Sequence, residues 1–442
     1  MVLKALHTGV TGLRAEGEAI GVVGDNIANV NTVGFKRERS IFQDILGHSI
    51  LAGTSSALPG SGVKVGKIQQ LFDQGSLSNT GVATDLALSG DGFFVVKGTV
   101  EGLTSNFYTR AGQFTLDKDG FLVNAGGLNV QGYASNGDGT YAASLSSLQA
   151  PTSSITPRAT EKVTVTANLD AGSKVIDDPA NPGNPLAFDI ADPANSSQFS
   201  TTMTVYDSLG NGHTLNVYFS KTADNAWDYN VTANSADLAS GAGPDPETVV
   251  GGGTLDFTTD GALNTFTETT PVALNFTGGA TQAQAVEMDF GPDITNDLTD
   301  GLSGTTQFGS PSNVSSQAQD GYASGDFSGV AVDGQGVVMG LYSNGEKLAI
   351  GQLAIAKFRS NDGLGRAGNS LWIETRESGS AAMGTAASGG RGAVSSGALE
   401  SSNVDLAEEF VGLIEHQRSF SANSKTISTA DEMLQELINI KR

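Results

Sequence analysis

Apolar residues fall at helical spacing at the two ends of the chain and in short alternating runs everywhere between. In MVLKALHTGVTGLRAEGEAIGVVGDNIANVNTVGFKRE, residues Leu3, Leu6, Val10, Leu13, Gly17, Ile20, Gly24 and Ile27 recur at alternating intervals of three and four. That spacing is the a/d seam of a coiled coil. At the other end Leu406, Phe410, Leu413, Gln417, Phe420, Ser424 and Ile427 keep it, and after a shift of register Ala430, Leu434 and Leu437 continue it. Ser402 with Asp405 reads as a capping box for this second helix.

The first helix is a poor one on its own. Gly9, Gly12, Gly17, Gly21 and Gly24 lie inside it, and each costs about 1 kcal/mol of helix propensity relative to alanine. Burying a handful of aliphatic side chains at about 1.5–3 kcal/mol each offsets only part of the entropy of ordering such a segment. The plain expectation is that the two helices pair within one chain. The sharper expectation is that they pair with each other and with further copies, and gain their order on assembly.

Between the helices the period is two. LALSGDGFFVVK (86–97) reads as a hairpin turning at Asp91-Gly92, QFTLDKDGFLVNAGG as another turning at Asp119-Gly120, and VVMGLYSNGEKLAIGQLAIAKF (337–358) as a third turning at Asn344-Gly345. These runs flank an insertion that opens near the Pro/Thr stretch at 151–157 and closes near 325. Inside it TMTVYDSLGNGHTLNVYFSK and WDYNVTA read as a meander, with Tyr206, Leu215, Val217, Phe219, Trp227 and Tyr229 as its core and exposed turns at 207–212 and 236–253. The expected fold is mostly β with α-helical termini. The expected organisation is a coiled-coil core domain from 1–30 and 403–442, a linker region from 31–70 and 360–402, and a β domain from 71–150 and 326–359. A second β domain, the insertion, occupies 151–325.

Composition narrows the function. The net charge is -23, and residues 151–330 hold 22 Asp and Glu against 4 Lys and Arg, about -18 of the total. Such a surface repels phosphate, so nucleic acid and anionic membrane are not its partners. The chain has no cysteine, which excludes disulfides, thiolate metal sites and a cysteine nucleophile. His7, His48, His213 and His416 are scattered without metal-ligand spacing. No apolar run is long enough to span a membrane, and no Sec-type leader is expected.

Two motif matches carry no chemistry. GLGRAG (363–368) fits a dinucleotide fingerprint, but NSLWIETRE after it reads as strand rather than helix. DKDG (117–120) imitates the start of a calcium loop but lacks the later ligands, so a tight turn explains it. No catalytic, cofactor-binding or metal site is expected, and the chain does not read as an enzyme.

ANVNTVGFKRERSIFQDIL (28–46) and SNVDLAEEFVGLIEHQRSFSANSKTISTADEMLQELINIKR (402–442) resemble the two ends of bacterial flagellar axial proteins, the rod and hook group. DLALSGDGFFVV, YTRAGQFTLDKDGFLVNAGG, TVTANLDA, TVYDSLGNGHTLNVYF, QDGYASGDFSGVAVD and GNSLWIET resemble segments of its hook members, so the likeness covers nearly the whole chain. The shorter distal rod proteins share the ends but lack the long insertion.

The resemblance implies a structural subunit that self-assembles into a curved, flexible tube, a universal joint passing motor torque to the filament. It implies terminal helices at the tube's inner core with nested β domains outward. It also implies export through the flagellar type III apparatus to an extracellular position, without a cleaved Sec signal, and no cofactor. The implied partners are many copies of the same chain, the distal rod protein, the hook cap and the hook–filament junction protein. Carried onto this sequence, the assembly interface comprises Leu3, Leu6, Val10, Leu13, Ile20, Ile27, Leu406, Phe410, Leu413, Phe420, Ile427, Leu434 and Leu437. Asn29, Asn31 and Phe35, with Asn26, Thr32 and Gly34, match the family's Asn-rich turn. Two other readings are an acidic secreted adhesin or surface-layer protein, and a β-rich hydrolase; neither accounts for heptads at both ends.

Overall fold

The structure, a computed structural model, describes residues 2–46, 60–137, 139–239 and 245–440. His48 and the middle of the 236–253 turn fall outside the described residues. The chain divides into two units. Residues 1–152, 328–341 and 347–442 form one, and 153–327 with 342–346 form the other.

The first unit carries both long helices, Val2–Ala28 and Leu406–Ile440. A long antiparallel ribbon, Glu38–Leu46 against Gly60–Gln70, follows the first helix. The largest sheet has twelve strands and joins segments far apart in sequence: Phe93–Val100 pairs with Leu103–Thr109, Asn129–Ser135 and Lys347–Lys357. Its core is aromatic. Phe93, Tyr108, Phe358 and Trp372 meet edge to face, with ring centroids 4.7–5.8 Å apart, an arrangement that adds to the gain from burial alone.

The second unit holds two five-stranded sheets. One is a meander in which Phe199–Tyr206, Gly212–Ala223, Ala226–Asn234, Glu247–Phe257 and Leu263–Thr270 pair in chain order. Leu215, Val217, Phe219, Trp227 and Tyr229 are all buried, as the alternation of their strands requires. The buried Trp227 indole donates to Gln307 Oε1 at 3.0 Å, which satisfies its N–H.

Several expectations are corrected. LALSGDGFFVVK is not a hairpin: Leu86–Ser89 pairs with Ala393–Ser396, and Phe93–Val100 belongs to the twelve-stranded sheet. Gly90 and Gly92 have φ of 108° and 127°, and a Cβ on Gly92 would lie 2.5 Å from Ile355 Cγ2. These glycines carry the chain from one sheet to another without closing a turn. Tyr206 is only partly covered, because Met203 and Val205 take the inward positions of its strand.

The turn at 207–212 is not wholly exposed, since Asp207 is fully buried and accepts from the backbone N–H groups of Leu209 and Asn211. Burial opposes ionisation of Asp207, but the donors of Asn211, His213 and Leu209 outweigh it and hold the carboxyl below its ordinary range. Nor is 236–253 a loop throughout. Gly251, Gly252 and Gly253 sit inside the strand Glu247–Phe257, where a Cβ on Gly253 would come 2.2 Å from Thr267 O. Here glycine marks close backbone approach.

The other two hairpins form, Phe114–Leu116 with Leu122–Asn124 and Val337–Tyr342 with Lys347–Lys357. In the first, Asp117 Oδ1 accepts from Asp119 N and Phe121 N at 2.9 and 2.7 Å, so the calcium-like DKDG is a side-chain-braced turn. GLGRAG enters a hairpin as well, Gly365–Gly368 against Leu371–Ile373. The capping box also shifts by three residues. Asp405 itself caps the second helix, its Oδ1 accepting from Ala407 N at 2.8 Å, while Ser402 turns the chain just before it.

Candidate self-assembly interface

The N-terminal helix runs unbroken within a single chain because its small-residue face lets it lie close to the C-terminal helix. Gly9, Gly12, Ala15, Ala19, Val22, Val23 and Asn26 are its buried positions. A Cβ on Gly9 would stand 2.9 Å from Ile427 Cγ1, and one on Gly12 would stand 2.7 Å from Asn423 Oδ1. Further along, Glu16 Oε2 lies 2.7 Å from His416 Nδ1, and Asn26 Nδ2 donates to Glu409 Oε1 at 3.1 Å. As numbers rise on one helix they fall on the other, so the pair is antiparallel.

The glycines thus differ in role. Gly12→Leu is expected to force the helices apart and cost about 1–3 kcal/mol by overpacking. Gly17 has open space around it, so Gly17→Ala should stabilise by up to about 1 kcal/mol. Urea unfolding of the two variants side by side checks this, and equal shifts would contradict the geometry.

Within one chain the fully buried positions of the first helix are thus its small residues, while the predicted seam is partly buried beside them and Ala430 of the second helix is buried outright. Leu3 is 70% exposed, whereas Leu6, Val10, Leu13, Ile20 and Ile27 are partly buried. On the second helix Leu406 is 40% and Phe410 50% exposed, while Leu413, Phe420, Ile427 and Leu434 are half covered. Ile427 does reach the partner helix, at Gly9. The side chain of Leu437 lies outside the described residues. Val411 and Ile414 add further exposed apolar surface.

The Asn-rich turn works by hydrogen bonding within the chain. Asn26 is buried and forms a two-way bridge with Glu38, donating to its O at 2.7 Å and accepting from its N at 2.9 Å. Asn29 donates to Asp25 O and accepts from Thr32 Oγ1. Asn31 is exposed, whereas Phe35 is buried. Burial pushes the Glu409 carboxyl above its usual range, against the Asn26 amide and the Arg37 charge that pull it down. A raised carboxylate value means that burying Glu409 favours folding most at pH below the ordinary carboxylate value, and that this contribution is lost as pH rises through the raised one.

Beyond the turn sits an ionic hub that no sequence pattern announced. Lys36 Nζ donates to Glu400 Oε1 and to Asp73 O, each at 2.6 Å. Arg110 Nη1 meets Glu400 Oε2 at 3.2 Å, and Gly75 N donates to Oε1 at 3.0 Å. Glu400 is 0%, Lys36 2% and Arg110 4% exposed. Burial pushes the Lys36 ammonium below its usual value, against the attraction of Glu400. Beside the hub, Asn403 accepts from Arg37 N and donates to Leu71 O. The partners are hundreds of residues apart, so only tertiary structure brings them together. The one legible signal was the Gly9, Gly12, Ala15, Ala19 stripe, which a seam search passes over because it seeks large side chains.

Four family descriptions match along the chain: Flagella basal body rod protein over 6–36, Flagellar hook protein FlgE/F/G D1 domain over 87–169, Flagellar basal body protein FlaE D2 domain over 168–322, and Flagellar basal body rod FlgEFG protein C-terminal over 395–440. The Flagellar hook protein FlgE of Salmonella typhimurium is 35% identical over 98% of both chains, and that of Borreliella burgdorferi is 34% identical over 100% of both. The chain belongs to the flagellar hook protein family. A crystal structure of the Helicobacter pylori flagellar hook protein FlgE2 aligns with 73% of this chain and 100% of its own, at a TM-score of 0.48 and 18% identity.

This hook-family chain is a structural subunit of the flagellar hook of the basal body and not an enzyme. Membership of a rod-and-hook family implies that its copies polymerise. Among the described residues no helix is long and apolar enough to cross a membrane.

Proposed function

We propose that the chain polymerises through the outward faces of its terminal helices into a flexible curved tube that passes torque from rod to filament. The observation that carries this is the apolar surface that the intrachain helix pair leaves uncovered, Leu406, Phe410, Val411 and Ile414 at one end of the pair and Leu3 at the other. Exposed apolar surface of this extent on paired helices calls for further helices. In the tube the residues 1–30 and 403–442 form a multi-chain coiled-coil core. Residues 31–70 and 360–402 link it to a β domain of 71–150 and 326–359, and 151–325 turns outward. Leu6, Val10, Leu13, Ile20, Ile27, Leu413, Phe420, Ile427, Leu434 and Leu437 complete the core, with Asn29, Asn31 and Phe35 holding the turn beneath it.

The proposed partners are other copies of the chain, the distal rod protein, the hook cap, the hook–filament junction protein and the type III export apparatus, with an extracellular destination. Sedimentation and electron microscopy of the intact chain beside one ending at Val404 test the core. Tubes are expected from the intact chain alone, and tubes from the shortened chain would refute a helical core.

A further inference from the structure

The GLGRAG segment puts Arg366 where two cross-strand pairs meet. The ribbon opens on one of them, Glu38 opposite Gln70, and the hairpin of Gly365–Gly368 with Leu371–Ile373 carries the other, Arg366 opposite Trp372. Arg366 Nη1 donates to Glu38 Oε1 at 2.6 Å, and Trp372 Nε1 donates to Gln70 Oε1 at 2.9 Å. Gln70 Nε2 in turn donates to Glu38 Oε1 at 2.9 Å, so the four side chains make one continuous run of bonds. Each end of it is anchored. The Trp372 indole packs on Phe72 and Phe93 in the aromatic core of the sheet, with centroids 5.6 and 5.4 Å away. At the other end the backbone of Glu38 is held by Asn26 of the first helix, which also bonds Glu409 of the second. Glu38 is 8% and Trp372 4% exposed.

We infer that these four side chains are a latch that fixes the direction of the helix pair on the twelve-stranded sheet. The ribbon goes with the helices, since Val63 N donates to Thr11 Oγ1 of the first helix in addition to the Asn26 bridge. Among the described residues it shares no backbone ladder with the twelve-stranded sheet, so side chains do the joining. Gln69 and Lys67 also bond Asp362, but in the open, where water competes for the same groups. The latch is shielded, and one oxygen of its carboxylate takes both a guanidinium and an amide; hydrogen bonds to an ionised group are about twice as strong as neutral ones. Its bonds run in one direction, indole to amide to carboxylate, so each polarises the next. Gln70 and Arg366 are thereby positioning residues for the helices, and a load on the helix pair reaches the sheet core through Glu38.

The test uses the full chain as a monomer. The chain has no cysteine, so Ser424→Cys on the second helix and Lys97→Cys on the sheet, both at exposed positions, take two spin labels whose separation is read by pulsed electron paramagnetic resonance. A single narrow distribution of distances is expected with the latch intact. Gln70→Glu keeps the acceptor for Trp372 but sets a second carboxylate against Glu38, and it is expected to broaden the distribution roughly twofold or split it, as further orientations of the helix pair become populated. Arg366→Met removes the other bond to Glu38 and should broaden it likewise. Gln43→Glu, at an exposed position of the same ribbon, should leave it unchanged. Circular dichroism, and Trp372 emission in a Trp227→Phe background where it is the sole indole, report whether the sheet is folded in each variant.

A distribution as narrow in Gln70→Glu or Arg366→Met as in Gln43→Glu would overturn the latch. Loss of the folded sheet in either variant would overturn it too, because the four side chains would then belong to the sheet's own core and not to a joint upon it. Both readouts come from single chains, so the latch and the polymer can fail separately.

Discussion

Replacing Glu400 with alanine is expected to remove about 3–5 kcal/mol of stability, because it strands two cations that water cannot reach. Glu400 is the only carboxylate bonded to both Lys36 and Arg110 among the described residues, and all three are almost wholly buried. An alanine would leave Lys36 with a single carbonyl, Asp73 O, and Arg110 with Gly90 O. The loss would not stop at charge. Gly75 N donates to the same carboxylate and would lose that acceptor beside the strand pair Ala398–Glu400 with Leu77–Asn79. Glu400→Gln keeps the shape and one acceptor, and should fall between alanine and the unmodified chain. Urea denaturation of the three proteins measures the order; an alanine variant within about 1 kcal/mol of the parent would show that the hub is solvated.

Phe410→Glu is expected to leave the monomer nearly unchanged and to abolish tubes. The ring is half exposed and is not among the buried core residues, so the monomer should shift by no more than about 1 kcal/mol. In the polymer the same position would bury a carboxylate against aliphatic neighbours. Losing even one buried side chain worth about 1.5–3 kcal/mol per subunit raises the assembly concentration about tenfold or more. Circular dichroism and urea unfolding establish that the subunit is intact, and electron microscopy at rising concentration reads assembly. Ordinary tubes from a folded Phe410→Glu protein would remove the outward helical stripe as the contact.

What is legible in the sequence follows the range of the interactions involved. Helix at both ends and strand between are visible because periodicity is local: Leu406 to Ile427 cannot keep a seam as a strand, nor can Leu215, Val217 and Phe219 keep theirs as a helix. The family is visible because long segments match. The fully buried positions of the first helix are small for a physical reason. Large apolar residues draw the eye, whereas close helix approach selects Gly9 and Gly12 and leaves Leu3 outside. The hairpin reading of SGDG failed because Gly92 is there for Ile355, a residue far along the chain. Likewise the hub of Lys36, Arg110 and Glu400 is three ordinary charges until the fold removes their water.

The antiparallel run of the two helices also bears on labelling. Gly9 lies against Ile427 and Asn26 against Glu409, so Leu3 and Leu434 point to one common tip, while the β strands attach at the other. A tag or fluorophore fused to either terminus would therefore reach the same tip, so swapping ends would not change the part of the molecule that it meets. A reporter grafted onto an exposed turn of the second unit, such as the one at Gly278 and Gly279, would instead sit far from both helices in sequence.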